Sequence, residues 1–185
     1  MGMPVPLYYT ADMVRELIDE DRPWPRYELV HGELLVRPAP RAWHQEIVAR
    51  LLVALRTYLE REMVGHVLMA PADISWGDDT LVQPDVFVFP LEEARHLDWR
   101  QLKTMLLCAE VLSPSSLRAD RFTKRRLYQD EGVPVYWVID ADAQKVEVWR
   151  PDLVFPEFAH ENITWHPTGA TVPFVPSLEA LFKPL

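Results

Sequence analysis

The feature that most constrains the fold is an apolar run from Met105 to Leu112 with one acid in it, Glu110. The run is apolar on both faces and leads into Ser-Pro-Ser-Ser, a pattern typical of a central strand buried on both sides. A carboxylate in such a strand is costly to desolvate unless a cation, a metal ion or hydrogen-bond donors compensate it. The sequence therefore predicts that Glu110 belongs to a built polar site in the core.

A helix rich in charge follows this strand, and three of its polar residues share one face. Asp120, Lys124 and Tyr128 are spaced at i, i+4 and i+8. Lys124 has two interpretations. It belongs to a site with the strand acid Glu110, or it forms an exposed ion pair with Asp120 that contributes about 0.2–0.5 kcal/mol to helix stability. Glu110 also has two interpretations, a functional acid or one partner of a buried salt bridge to an arginine or lysine. Such a salt bridge shifts the pKa of an acid that has no function.

Helical and strand patterns alternate along the rest of the chain. Helices are predicted over Ala11 to Glu20, after the N-cap Thr10, and over Trp43 to Met63, which Gly65 ends. Other patterns predict a hairpin around His31-Gly32, a hairpin around Gly77-Asp78-Asp79, strands over Val135 to Asp140 and Lys145 to Arg150, and a last helical turn over Leu178 to Phe182.

These elements predict an α/β fold of mixed α+β type. The step from Glu110 to Asp140 predicts two parallel strands joined by a right-handed crossover, and the hairpins add antiparallel strands. We therefore expect a mixed central β-sheet flanked by helices, with an N-terminal helix and hairpin added to it. No linker or repeat divides the chain, so residues 1–185 are predicted to form a single domain.

The second hairpin carries a candidate acid, Asp85, in a strand that is otherwise apolar. In the simplest register Asp73 faces Gln83, and Asp85 projects from the same face two residues on. Pro84 cannot donate a hydrogen bond to the ladder, so a bulge there shifts this register. The plain alternative for Asp85 is an acid at a strand start that caps such a bulge.

Composition limits the partners and the compartment. The net charge is −9, which excludes a broad basic surface for nucleic acid and leaves one local basic patch over Arg118 to Arg126. The lone cysteine, Cys108, is predicted to be a small buried hydrophobe. No apolar run approaches ~20 residues and no signal pattern opens the chain, so we expect a cytoplasmic protein with no membrane segment.

Asp85 and Glu110 together predict a metal site. Two acids on neighbouring strands that face the same way can hold a divalent cation, which prefers oxygen ligands. Such an ion lowers the pKa of a bound water and neutralises charge on a phosphate. The Lys124 ammonium is then a candidate to orient the attacking water or to stabilise the transition state.

A series of segments between residues 9 and 150 resembles the Uma-type family of bacterial endonucleases, which belongs to the PD-(D/E)-x-K nuclease superfamily. The segments follow one another in this order: TADMVRELIDEDRPWPRYELVHGEL, APADISWGDDTLVQPDVFVF, EVLSPSS, DRFTKRRLYQDEGVPVYWVID and VEVWR. The resemblance implies a restriction-endonuclease-like core and hydrolysis of phosphodiester bonds, with DNA as substrate. It also implies Mg²⁺ as cofactor, with Mn²⁺ as the alternative ion.

The resemblance assigns roles to individual residues. Pro84-Asp85 matches the first motif of the superfamily, and Glu110 matches its second acid. The lysine of the motif is expected two residues after that acid, where this chain has Leu112. Lys124, on the following helix, matches the position that the lysine takes in branches where it has moved. Leu107-Cys108 is a further departure, because relatives tend to carry Pro-Asp there.

Other polar residues of the matched segments are weaker candidates. Glu28 is predicted to be a third metal ligand or to contact one, and His44 to be a base or, as the plainer alternative, a helix cap or packed imidazole. Ser113 and Ser115 can bind phosphate or cap the next helix. The remaining candidates for contacts to the ligands or the substrate are Gln83, Asp120, Arg121 and Tyr128, the last of which is also expected to pack in the core.

Three functions fit these residues. The first is a metal-dependent DNA endonuclease, which predicts the Asp85 and Glu110 carboxylates within reach of one ion and the Lys124 ammonium close by. The second is an inactive nuclease fold that serves as a binding or assembly module, which predicts Lys124 turned to solvent. The third is a hydrolase of small phosphate esters, which predicts a closed pocket. A homodimer formed through an exposed edge strand or through Val154 to Trp165 suits cleavage of both DNA strands.

Overall fold

The structure is a computed structural model that describes residues 8–18, 21, 24–114 and 116–185. Its elements are α1 (Ala11–Leu17), β1 (Arg26–Val30), β2 (Glu33–Arg37), α2 (Ala42–Glu62), β3 (Gly65–Met69), β4 (Val86–Pro90), α3 (Leu91–Ala94), β5 (Leu107–Val111), a π-helix (Ala119–Lys124) that continues into α4 (Arg125–Asp130), β6 (Tyr136–Asp140), β7 (Lys145–Trp149), β8 (Glu157–Ala159) and α5 (Leu178–Phe182).

The central sheet is mixed, as predicted. Its strand order is β3-β4-β5-β6-β7-β8. The β5–β6 pair is parallel, and the other four pairs are antiparallel. Strands β1 and β2 form a separate two-stranded sheet, so the N-terminal helix and hairpin are an addition to the core. The fold class expected from the sequence is therefore confirmed.

Strand β5 lies at the centre of this sheet and separates two apolar clusters. All five of its residues are buried. Leu107, Ala109 and Val111 pack toward α2, whereas Cys108 packs on the other face with Tyr128 of α4. Glu110 shares the face of Cys108 because side chains alternate along a strand. The predicted buried strand is confirmed. Because its side chains alternate between the two faces, Glu110 points toward the helix that carries Lys124.

Helix α2 spans 21 residues and covers one face of the sheet. Its buried side chains recur at helical spacing, among them Ile47, Leu51, Leu55 and Tyr58. Because the opposite side of α2 carries charged residues, its amphipathic pattern is that of a surface helix. Neither α2 nor any other helix in the described part of the chain is long and apolar enough to cross a membrane.

Gly65 does not end α2 as predicted. The helix ends at Glu62, and Met63 adopts the left-handed conformation with φ 54°. Gly65 instead begins β3, where a Cβ atom would lie 2.8 Å from the carbonyl oxygen of Phe89 and 2.9 Å from Val88. The glycine is thus required by close strand packing. Helix α1 ends at Leu17, and the predicted end at Glu20 lies outside the described residues.

The second hairpin is bulged, the alternative that Pro84 raised, and near its turn the strands keep the predicted register in which Asp73 faces Gln83. Met69 pairs with Val86 and Ile74 with Val82, so five steps on one strand oppose four on the other. The extra residue interrupts the ladder, and only a single bridge pairs the strands near the turn. The Asp73 side chain pairs with Arg15 at the surface, whereas Asp85 is buried, so the two acids do not share one environment.

The close approach at Gly65 makes a prediction about stability. We expect Gly65→Ala to reduce the free energy of unfolding by about 1–3 kcal/mol, because its methyl group overlaps the backbone of β4. Gly77→Ala is the control, since its Cβ meets only the Asp79 carboxylate, at 3.4 Å; we expect a change within about 0.5 kcal/mol. Urea unfolding measures both, and equal values for the two variants would contradict this packing argument.

Candidate active site

Four carboxylates and two cations from five segments meet beside β5. We call this group the acidic cluster. The carboxylates are buried and belong to Glu28, Asp85, Glu110 and Asp120, and the cations are Lys124 and Arg37. Asp85 precedes β4 directly, and the register of β4 with β5 continues to bring it opposite Glu110. The members of this group are far apart in the sequence, and the fold brings them together from several strands and from the helix.

Lys124 is the central cation of the acidic cluster. Its Nζ atom lies 2.7 Å from Glu110 Oε1, 2.7 Å from Glu28 Oε1 and 3.9 Å from Asp120 Oδ1. The side chain is fully buried, so the interpretation as an exposed pair is wrong. Burial alone lowers the pKa of the Lys124 ammonium, but the Glu110 and Glu28 carboxylates outweigh it and raise that pKa above its ordinary value.

The helix presents its predicted face to Glu110. Asp120, Lys124 and Tyr128 are all fully buried, and the Tyr128 hydroxyl donates to Glu110 Oε1 at 3.0 Å. The first two lie in the π-helix, a conformation found frequently at functional sites. Tyr128 is therefore a packing residue with one polar end in the acidic cluster, as the sequence predicted.

Asp85 is held by a second group of contacts. Its Oδ2 atom accepts hydrogen bonds from the backbone amide of Val111 at 2.8 Å and from His44 Nε2 at 3.1 Å. Burial raises the pKa of Asp85, but the His44 bond and the charges of His44 and Arg37 outweigh burial and keep the carboxyl below its ordinary value. His44 is thus a packed imidazole in the first turn of α2 that orients Asp85.

Arg37 is a member of the acidic cluster that the sequence did not reveal. Its guanidinium lies 2.6 Å from Asp120, 3.6 Å from Glu110 and 3.8 Å from Glu28. Burial lowers the pKa of Arg37, and these three carboxylates more than restore it. The pattern of the first hairpin predicts its second strand over Glu33 to Val36, one residue short of Arg37. Because side chains alternate along β2, Arg37 lies on the same face as Glu28.

Glu28 and Gln83 are linked across the two sheets. The Gln83 amide N–H donates to Glu28 Oε1 at 2.7 Å, and the side-chain amide donates to the Tyr27 carbonyl at 3.3 Å. Gln83 thereby fixes the carboxylate that also binds Lys124. Its own Oε1 atom receives no hydrogen bond from the described residues. The structure thus places Glu28 and Gln83 in contact beside Lys124, and their roles as metal ligand and neighbouring contact stay predictions.

The acidic cluster has more carboxylates than permanent cations. Three of its four carboxylates contact Lys124 and Arg37, whereas Asp85 is held by His44 and the Val111 amide. Burial raises the pKa of both Glu110 and Asp120. Within the described ranges, Glu28 Oε2, Glu110 Oε2 and Asp120 Oδ2 are buried without a hydrogen-bond partner. Oxygen donors with excess negative charge suit Mg²⁺ or Mn²⁺, so the residues present fit a hard divalent cation.

The carboxylates do not form a complete metal cage. No group of three or more His, Cys, Asp or Glu side chains in the described part of the chain is arranged to hold a metal ion. Mg²⁺ is commonly bound by only one or two carboxylates, with waters and substrate phosphate oxygens completing its shell. The geometry therefore suits an ion that binds together with a substrate.

A cavity of about 30 Å³ opens the acidic cluster to the surface. This volume matches a single water molecule. Its lining consists of Trp24, Arg26, Glu28, Arg37, Pro38, Pro40, His44, Gln45, Gln83, Asp85 and Ser113. Ser113 bonds to Ser116 through both its amide and its hydroxyl, which favours a capping role; Ser115 lies outside the described residues.

The basic patch does not form one surface at the mouth of this cavity. Arg121 pairs with Glu147 at 2.7 Å and with Asp140 at 3.3 Å, away from the acidic cluster. Arg125 lies over the Trp149 ring and bonds to Gln129. The remaining two arginines line a separate concavity of about 670 Å³ that also contains two acids; these four residues are Arg118, Arg126, Glu33 and Asp130.

Comparisons with known proteins agree with the resemblance found in the sequence. The sequence model of the Uma2 family, described as "Putative restriction endonuclease", matches residues 11–178. The fold is similar to the crystal structure of "a putative nuclease belonging to DUF820 from Anabaena variabilis ATCC 29413", with a TM-score of 0.75 and 20% identity. That match covers 94% of this chain and 97% of the other. It shows that the two chains share the same fold. No curated protein matches.

The contacts of Lys124 make a prediction about stability. We expect Lys124→Met to reduce the free energy of unfolding by about 3–5 kcal/mol, because two buried carboxylates lose the nearer of their two cations and keep only Arg37. The control Arg56→Met breaks the exposed pair with Glu60 and should cost about 0.5 kcal/mol or less. Adding Glu110→Gln to Lys124→Met should restore part of the loss. Urea unfolding tests this, and a loss below about 1 kcal/mol for Lys124→Met would contradict it.

Proposed function

The chain belongs to the Uma2 family, whose model covers most of its length, and on that premise we propose that it is a metal-dependent DNA endonuclease. The observation that carries the proposal is the burial of Lys124 between Glu110 and Glu28, next to Asp85 and a cavity that opens to the surface. Strongly perturbed ionisable groups that meet in a cleft are a physical mark of catalytic sites.

Asp85 and Glu110 are the proposed metal ligands. Glu28 is proposed as a further oxygen donor beside them, and in this structure its Oε1 atom binds Lys124 and the Gln83 amide. Mg²⁺, or Mn²⁺ in its place, supplies a bound water of lowered pKa and positive charge for the phosphate. Lys124 and Arg37 fix the orientation of these carboxylates, and His44 fixes Asp85. Direct contact between Lys124 and the attacking water stays a prediction, because its ammonium lies behind the carboxylates.

The proposed reaction is hydrolysis of a phosphodiester bond. A water oxygen forms a bond to phosphorus, and the bond from phosphorus to one deoxyribose oxygen breaks. The departing oxygen takes up a proton, so the products are a phosphomonoester and a hydroxyl group. The negative charge of the acidic cluster opposes the formation of hydroxide from the attacking water. A bound cation would offset that charge, which is the physical reason for metal dependence.

The two alternatives receive less support from the site. A binding module without activity predicts Lys124 in solvent, whereas Lys124 is fully buried against Glu110. A hydrolase of small phosphate esters predicts a pocket that encloses its substrate, whereas the cavity at Asp85 has a volume of about 30 Å³. A phosphodiester bond of DNA needs no larger cavity, because the polynucleotide backbone can lie across the opening of the cavity at the surface.

Cleavage of DNA tests the proposal. We expect the wild type to cut supercoiled plasmid or single-stranded DNA with Mg²⁺ or Mn²⁺ and to stop in EDTA. Asp85→Asn and Glu110→Gln should each reduce the rate at least about a hundredfold. Asp73→Asn is the control, because this acid of the same hairpin pairs with Arg15 at the surface. Absence of both cutting and metal binding by calorimetry in the folded wild type would support the binding module instead.

We further infer that the protein forms a homodimer through the edge strand β8. Three large apolar side chains at this edge are strongly exposed: Val154 (77%), Phe155 (79%) and Phe158 (52%). An edge strand also presents unpaired backbone groups that a second copy can bind. A two-fold pair of sites suits the cutting of both strands of a duplex.

Light scattering coupled to size exclusion tests the dimer. We expect a dimer at micromolar concentration for the wild type and a monomer for Phe155→Glu, because a charge at the apolar edge opposes burial. Val53→Glu is the control, since Val53 is 65% exposed on the outer face of α2 and should leave the dimer intact. A monomeric wild type would exclude this assembly.

A further inference from the structure

Arg26 lines the cavity of the acidic cluster and is not engaged by any acid. It is half-buried at the start of β1, and its guanidinium carbon lies 4.3 Å from the centre of the Trp24 ring. Among the described residues it forms no ion pair and no hydrogen bond through its side chain. An arginine has five N–H donors in a planar fork, so Arg26 offers an unused set of donors at this cavity.

The other arginine of the cavity is in the opposite situation. Arg37 contacts Asp120, Glu110 and Glu28 and is fully committed to the acidic cluster. Arg26 is close enough to Asp85 and Glu28 to feel their charges but does not bond to either. The site therefore combines one arginine that holds the carboxylates with a second whose donors remain available to a ligand.

Size and charge identify the ligand that Arg26 fits. The cavity has room for about one water molecule, so neither a nucleobase nor a whole phosphate ester enters it. A phosphate group must then stay at the mouth, where Trp24 and Arg26 lie together with Pro38, Pro40 and Gln45. The planar fork of a guanidinium matches two phosphate oxygens and binds them with charge-assisted hydrogen bonds.

We propose that Arg26 binds the substrate phosphate at the mouth of the cavity, and that the substrate is a continuous polynucleotide backbone. This inference rests on the proposed nuclease function, and it adds the residue that holds the phosphodiester outside the acidic cluster. The neighbouring nucleotides extend along the surface on either side of the mouth. Small phosphate monoesters lack those flanking contacts and are poor substrates.

Trp24 positions Arg26 for this contact. A cation over an indole face is attracted by the ring, and this contact holds the Arg26 guanidinium over Trp24. Trp24→Phe keeps an aromatic face and should preserve most of the affinity for DNA. Trp24→Ala removes the aromatic face and should weaken DNA binding. The effect of Trp24 on DNA binding should therefore disappear when Arg26 is already replaced.

The experiment is a DNA-binding titration with a fluorescein-labelled 20-base-pair duplex, followed by anisotropy between 50 and 200 mM salt. Ca²⁺ replaces Mg²⁺ to hold cleavage back. We expect Arg26→Gln to weaken binding about tenfold and to lower the slope of log K against log salt by about one, the value for one lost phosphate contact. Arg26→Lys should keep the slope but bind more weakly, since it keeps the charge without the fork.

Arg61→Gln is the matched control. Arg61 is an exposed arginine in the last turn of α2, 17 residues beyond His44 and thus about 26 Å along the helix axis. We expect its affinity and salt slope to equal those of the wild type. Thermal unfolding checks that each variant is folded, and Arg26→Lys serves in place of Arg26→Gln if the latter is not.

The outcomes separate this inference from the nuclease proposal. Wild-type cleavage together with unchanged affinity and slope in Arg26→Gln would overturn the role of Arg26 and leave the nuclease intact. A folded wild type that neither binds nor cuts DNA would overturn both. Hydrolysis of p-nitrophenyl phosphate as fast as that of DNA would overturn the assignment of a polynucleotide substrate.

Discussion

The structure depends on one buried interaction, the contact of the Lys124 ammonium with Glu110 and Glu28. Glu110 sits on a strand that is buried on both faces, where an uncompensated carboxylate is not tolerated. Lys124 reaches it from the following helix and at the same time reaches the N-terminal hairpin through Glu28. The positions of the central strand, the helix and the added hairpin are therefore tied together by one cation.

Stability alone does not explain this arrangement. Replacing a buried ion pair by apolar side chains of similar volume is often neutral or stabilising, so a fold has no need of such a group. The acidic cluster is costlier than a pair, because its carboxylates outnumber its permanent cations and three buried oxygens lack hydrogen bonds within the described part of the chain. Departures of this kind from local consistency are expected where a protein binds a ligand or carries out chemistry.

Periodicity predicted most of the fold and the inner half of the site. The apolar run around Glu110, the face shared by Asp120, Lys124 and Tyr128, and both hairpins follow from spacing alone. Arg37 was missed because a strand boundary was set one residue short. Arg121, a candidate for contacts to the ligands or the substrate, lies elsewhere for another reason. Helical spacing shows which residues share a face, but not that β7 and its Glu147 lie opposite Arg121. Tertiary neighbours of that kind are not encoded in local patterns.

The departure at Leu112 illustrates the same distinction. Leu112 packs in the apolar cluster beside Tyr128, and the ammonium expected near Glu110 comes from Lys124 instead. What the site requires is a positive charge beside the second acid, and either a strand or a helix can supply it. A lysine on the helix has a consequence that one on the strand lacks, because it also contacts Glu28 of the added hairpin. The same hairpin carries Arg37 and Arg26, so moving the lysine to the helix ties the acidic cluster to the segment that borders the mouth of the cavity.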